Sequence, residues 1–128
     1  MSDPATVLVV EDEFAIADLL DMTLTDAGYR VVMAANGRQG LARLAETPRP
    51  DLVISDLMMP VLDGAGLVQA IRQNPAQSNL PIIIMSSMPE ANVRARIDNY
   101  AAFVRKPFRI PALVQLVANV LGAAEPQR

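Results

Sequence analysis

Short apolar runs alternate with amphipathic stretches from one end of the chain to the other. Thr6 to Val10 is a continuous, β-branched apolar run, which marks a strand covered on both faces. Arg30 to Ala34, Leu52 to Ser55, Ile82 to Met85 and Ala101 to Arg105 repeat the pattern. The segments between them carry helical spacing instead. Ile16, Leu19, Leu20, Thr23, Leu24 and Ala27 recur along one helical face, with Gly28 placed to end it. Asn36 is set to cap a helix facing inward through Gly40, Leu41, Leu44 and Ala45, and Pro48 and Pro50 bound it. Asp63 caps a third helix with Leu67, Ala70 and Ile71 inward. Ser87-Met88-Pro89-Glu90 has the spacing of a capping box. The helix it predicts reaches through Val93 and Ile97 to Tyr100. Pro111 begins the last helix, striped by Leu113, Leu116, Val117, Val120 and Leu121, and Gly122 is expected to stop it.

Strands that read as apolar runs, joined by helix-length crossovers, predict an α/β fold with a parallel sheet covered on both faces. The expected architecture is a doubly wound (βα)5 flavodoxin-like sheet of order 2-1-3-4-5. A single domain over residues 1–128 is expected, with its core in 6–121 and a frayed tail from 122.

Composition narrows the chemistry. The chain has neither cysteine nor histidine, so thiol catalysis, the usual zinc sites and histidine-based triads are excluded. A formal net charge of -3 argues against a nucleic-acid surface. No membrane span or signal peptide is visible, and the expected location is the cytoplasm. Of the 11 basic residues Lys106 alone is lysine. A single lysine among arginines suggests a site that uses a compact ammonium rather than a planar fork.

The strand ends carry the candidate chemistry. The first strand ends on Glu11 and Asp12, the third on Asp56, the fourth on Ser86 and the fifth on Lys106. In this topology the first and third strands flank the crevice where ligands bind. Clustered carboxylates there repel one another unless they share a hard cation, and magnesium fits a site of few carboxylates. A cation beside Asp56 would neutralise an incoming phosphoryl group, with Lys106 as a second positive charge and Ser86 as a hydrogen-bond donor.

With Glu11-Asp12, Asp56, Met59-Pro60, Asp63-Gly64, Ser86, Phe103 and Lys106-Pro107-Phe108 in this order, the chain from Thr6 to Leu121 resembles a receiver domain of a two-component response regulator, of the single-domain, chemotaxis-regulator-like kind. The resemblance implies that Asp56 is the phosphoacceptor. It implies that Asp12, Asp56 and the main-chain carbonyl of Met58 hold magnesium, with Glu11 acting through water. It implies that Ser86 and Phe103 form the switch, and that Lys106-Pro107 is a cis peptide. The phosphodonor would be a sensor histidine kinase or a histidine phosphotransfer protein. The responsive surface would be the fourth helix, fifth strand and fifth helix, with Val93, Ile97, Tyr100 and Arg105 facing a partner. Two other readings share the fold: a degenerate receiver acting only as an interaction module, and a flavodoxin-like FMN binder. The acidic Glu11-Asp12-Glu13 turn is electrostatically wrong for cradling the phosphate of FMN. The sequence departs from the family's usual pattern at Asn99-Tyr100-Ala101, before the fifth strand, and at Ser86-Ser87.

Overall fold

The computed structural model describes residues 4–46 and 49–124. Its elements alternate as the apolar pattern requires: β1 (Thr6–Val10), α1 (Phe14–Asp26), β2 (Arg30–Ala34), α2 (Gly37–Leu44), β3 (Leu52–Asp56), α3 (Gly64–Gln73), β4 (Ile82–Ser86), α4 (Glu90–Arg94), β5 (Ala102–Arg105) and α5 (Ile110–Ala124). The strands form one sheet in the order β2-β1-β3-β4-β5, parallel at every pairing.

Alternate residues of each strand supply two cores. Leu8, Val10, Val53, Ile82 and Ile84 point to the face covered by α2, α3 and α4, where they meet Leu44, Leu67, Val68, Ile71 and Val93. Val7, Val9, Leu52, Ile54, Ile83 and Met85 point to the other face, against Leu20 and Leu24 of α1 and Leu113 and Val117 of α5. Because β1, β3 and β4 are buried on both faces, their sequences are runs rather than alternations. Phe103 shares the face of Ile84, its partner in register on β4.

The helix ends follow local chemistry in three places. Asn36 accepts the Gln39 N–H at 2.9 Å, and Asp63 accepts the Gly66 N–H at 2.9 Å. After α1, Gly28 takes a φ of 99°. The N–H groups of Gly28 and Tyr29 return to the carbonyls of Thr25 and Leu24, the left-handed glycine cap that only a residue without Cβ adopts freely.

Elsewhere the structure corrects the sequence reading. The helix expected to reach Tyr100 stops at Arg94. Val93 is the one buried residue of that single turn, and Ile97 and Tyr100 reach the same core from non-helical backbone. Arg72 holds the end of this segment: its guanidinium donates to the carbonyls of Ser78, Leu80 and Asn99 at 2.6–3.1 Å. Those bonds tie the segment before β5 to the loop before β4 and offer its backbone an alternative to helix. The capping box is not formed either. The N-cap of α4 is Pro89, without a side-chain bond, and the hydroxyl that accepts the Met88 N–H is that of Ser86, at 3.0 Å. β5 begins at Ala102 rather than Ala101. α5 runs through Gly122 to Ala124: the backbone of that glycine stays out of the left-handed region that would cap a helix. Pro48 and the tail beyond Ala124 lie outside the described residues.

Candidate functional site

The carboxyl ends of β1 and β3 lie side by side, and their last residues bring the acids together. One carboxylate oxygen from each of Glu11, Asp12 and Asp56 lies within 4.8 Å of the others. Glu11 and Asp56 are buried, at 3% and 8% exposure, whereas Asp12 opens to solvent. Glu11 is aimed by its own backbone: its Oε2 accepts the Glu13 N–H at 3.1 Å.

Lys106 enters from the far end of the sequence, carried by the turn that leaves β5. Its Nζ lies 2.9 Å from Glu11 Oε1 and 3.3 Å from Asp56 Oδ1. The following bond, Lys106-Pro107, is cis, in agreement with expectation. The charges are strongly coupled. Burial raises the pKa of Glu11, opposed by the Lys106 hydrogen bond. Burial likewise raises that of Asp56, opposed by the charge of Lys106 and reinforced by Asp12. For Lys106, burial works against the ammonium, yet the bond to Glu11 and the charge of Asp56 prevail and raise its pKa. An ammonium shared between two buried carboxylates still leaves the cluster negative. That is the electrostatic demand a hard divalent cation satisfies, and the oxygen donors present fit magnesium.

The loop after β3 is held close beneath the site. Gly64 N–H donates to the Leu57 carbonyl at 2.8 Å, and a Cβ at Gly64 would sit 2.7 Å from the Asp56 carbonyl oxygen. The glycine of Asp63-Gly64 therefore permits the backbone approach that fixes the end of β3. Val61, at the tip of this loop, has a φ of 72°, costly for a β-branched residue.

Ser86 ends β4, 2% exposed, with its oxygen engaged by Met88 N–H. Phe103 lies half-buried on the same face of the sheet. The four residues expected on a partner surface fare unequally. Val93 is fully buried, because it is the inward residue of a one-turn helix, and it is not available to a partner in this conformation. Ile97 and Tyr100 are half-buried. Arg105 is exposed and donates from Nε to the Ser87 carbonyl at 3.1 Å. Three features carried no signal in the sequence: the Arg72 clamp, a Tyr100 hydroxyl bond to Glu90 at 3.1 Å, and an Arg96 contact to the Met58 sulfur at 3.3 Å. Each is a pairing between segments that no motif and no periodic face links.

Comparison with known proteins agrees with this geometry. The model of the response regulator receiver domain matches residues 7–118. A response regulator of Chloroflexus aurantiacus superimposes with a TM-score of 0.86 at 32% identity, covering 93% of this chain and 98% of that one. The chemotaxis response regulator CheY4 of Vibrio cholerae gives a TM-score of 0.82 at 34% identity, over 91% and 98% of the two chains. The transcriptional regulatory protein GlrR of Escherichia coli is 37% identical over 126 residues, 96% of this chain and 28% of its own length. The chain spans less than half the length of the curated relatives it matches. No helix of the described residues is long and apolar enough to cross a membrane. The chain belongs to the receiver domains of two-component response regulators.

Proposed function

We propose that Asp56 accepts a phosphoryl group from a phosphohistidine on a sensor histidine kinase or a histidine phosphotransfer protein, and that the chain works as a cytoplasmic relay. The observation that carries this reading is the ammonium of Lys106 bridging Glu11 and Asp56 inside a three-carboxylate cluster. An Asp56 carboxylate oxygen attacks the phosphorus, the P–N bond breaks, and the imidazole nitrogen keeps the electron pair and takes a proton. Asp12, Asp56 and the main-chain carbonyl of Met58 would hold magnesium, with Glu11 acting through water. When bound, the ion neutralises charge on the phosphoryl oxygens.

Lys106 is the second neutralising group: a compact charge that turns from Asp56 to the phosphoryl oxygen while keeping Glu11. Burial of Asp56 keeps its carboxylate poorly solvated, which favours attack. Once phosphorylated, Asp56 offers acceptor oxygens to Ser86, whose hydroxyl must exchange its bond with Met88 N–H for one with the phosphoryl group. That shift opens space beside Ile84 and Ser86, and Phe103, on the same face, turns in to fill it. The response then spreads to α4, β5 and α5.

The test is phosphorylation by a small phosphodonor with magnesium, followed by intact-protein mass. The wild-type chain gains one phosphate, and both Asp56→Asn and excess EDTA abolish the gain. Undiminished labelling of Asp56→Asn contradicts the reading.

A further inference from the structure

On the premise that Asp56 is the phosphoacceptor, we propose that Arg96 is a second phosphoryl-binding cation, which leaves Met58 on phosphorylation and draws the end of α4 toward the site.

Phosphorylation would unbalance the charge of the site. An ionised carboxylate at Asp56 carries one negative charge, and a phosphoryl group at that position carries about 1.5 to 2. Lys106 is already divided between Glu11 and Asp56, and it and a bound magnesium ion would together only balance the carboxylates of Glu11, Asp12 and Asp56, so the charge added by phosphorylation calls for another cation. The arginines around α4 and β5 are mostly engaged. Arg94 pairs with Glu90 at 3.0 Å and stacks over the Tyr100 ring. Arg105 donates to the Ser87 carbonyl, and Arg72 is spent on three backbone carbonyls. Arg96 differs. Among the described residues no carboxylate lies within ion-pair distance of it. Its one polar side-chain contact among those residues is the thioether of Met58, a weak acceptor.

The placement is as telling as the missing partner. Met58 lies two residues beyond Asp56, so their Cα atoms are within about 7 Å of each other by chain geometry. The guanidinium therefore already rests on the loop that leaves the phosphoacceptor strand. It reaches that loop from the segment that follows α4, on the β4 side of β3. A guanidinium exchanging a sulfur for phosphoryl oxygens trades a weak contact for a charge-assisted and potentially bidentate one. The exchange also has a route outward. The Arg96 N–H is bonded to the Val93 carbonyl at 2.9 Å, so a pull on the guanidinium reaches the buried anchor of α4 directly. This link is separate from the one running through Ser86 and Phe103.

Beryllofluoride with magnesium, a stable stand-in for the phosphoryl group, provides the experiment. In the wild-type protein the Arg96 side-chain N–H resonance should move on saturation. Arg96→Ala should weaken beryllofluoride binding about fivefold and shorten the phosphoryl lifetime by a similar factor, as expected for one lost charge-assisted contact near the surface. Arg96→Lys should restore part of the affinity, and both variants should melt like wild type because the residue is exposed. An unmoved Arg96 resonance at saturation, or Arg96→Ala protein that binds as tightly as wild type, overturns the inference while leaving Asp56 as phosphoacceptor. Wild-type protein that binds no beryllofluoride overturns the phosphoacceptor reading and this inference with it.

Discussion

At the β1–β3 end of the sheet's carboxyl edge, functional groups are delivered by the strands themselves. Glu11 follows β1, Asp56 closes β3, and the ammonium of Lys106 lies between them at 2.9 and 3.3 Å. At the β4–β5 end the backbone is held by side chains from elsewhere. Arg72 grips the carbonyls of Ser78, Leu80 and Asn99, Tyr100 reaches back to Glu90, and between them α4 is a single turn. The first region stores electrostatic tension in rigid elements. The second is a short helix on a laced loop, with one fully buried apolar anchor, Val93. Under the proposed function, a charge added to the first would be resisted by a sheet buried on both faces, and the movement it causes would go to the second.

That contrast fails if removing Lys106 has little effect. With Glu11 and Asp56 left facing one another, Lys106→Ala should lose about 2 kcal/mol of stability near neutral pH, less than for a fully buried pair because the lysine is partly exposed. The pH dependence fixes the cause. Both acids have folded-state pKa values raised above 4.5 and 3.8, so the folded protein binds more protons than the unfolded one. Stability from these groups therefore falls as pH rises through their raised values and recovers on acidification. Lys106, itself raised, contributes fully below its ordinary 10.5 and loses that contribution only as pH climbs through its higher folded value. Denaturant melts at about pH 5 and about pH 8 should show the Lys106→Ala defect shrinking in acid. A defect independent of pH would mean that the lysine acts through packing alone.

A smaller effect should come from Arg72→Ala, about 1.5 kcal/mol for the loss of several partly exposed bonds to carbonyls. Its signature is local: faster amide exchange over residues 97–101, with β1 and β3 unaffected. Exchange that rises evenly through the sheet would show that the clamp supports the whole domain rather than the loop. The smallest effect sharpens the picture of the site loop. Val61 is 71% exposed with a φ of 72°, so Val61→Asn should raise stability by about 1 kcal/mol by relieving left-handed strain without losing burial. A lower melting temperature in that variant would show that the valine packs against something the folded loop needs.

The two regions also differ in how far the sequence revealed them. Strand order, the acid cluster and Lys106 were legible because each functional residue terminates an apolar run, and the fold's connectivity brings those ends to one edge. Glu11 and Lys106 are 95 residues apart, yet their strand positions foretold the meeting. The length of α4 was not legible. Its apolar positions, Val93, Ile97 and Tyr100, match helical spacing, and local propensity offers no reason to stop at Arg94. What holds the segment is tertiary: Arg72, 27 residues upstream, donates to the Asn99 carbonyl. The Arg96–Met58 contact spans 38 residues and left no trace in either segment. The capping box misled for a related reason, since the hydroxyl that reaches the Met88 N–H belongs to the last residue of β4.

The most direct test compares both regions at once, by amide hydrogen exchange with and without saturating beryllofluoride and magnesium. Exchange should change over residues 86–103, from Ser86 through α4 to Phe103, while β1 and the body of β3 stay as protected as before. Asp56→Asn protein should show no such response. A wild-type protein whose α4 and following loop exchange identically with and without the analogue, or an Asp56→Asn protein that responds like wild type, would contradict the account.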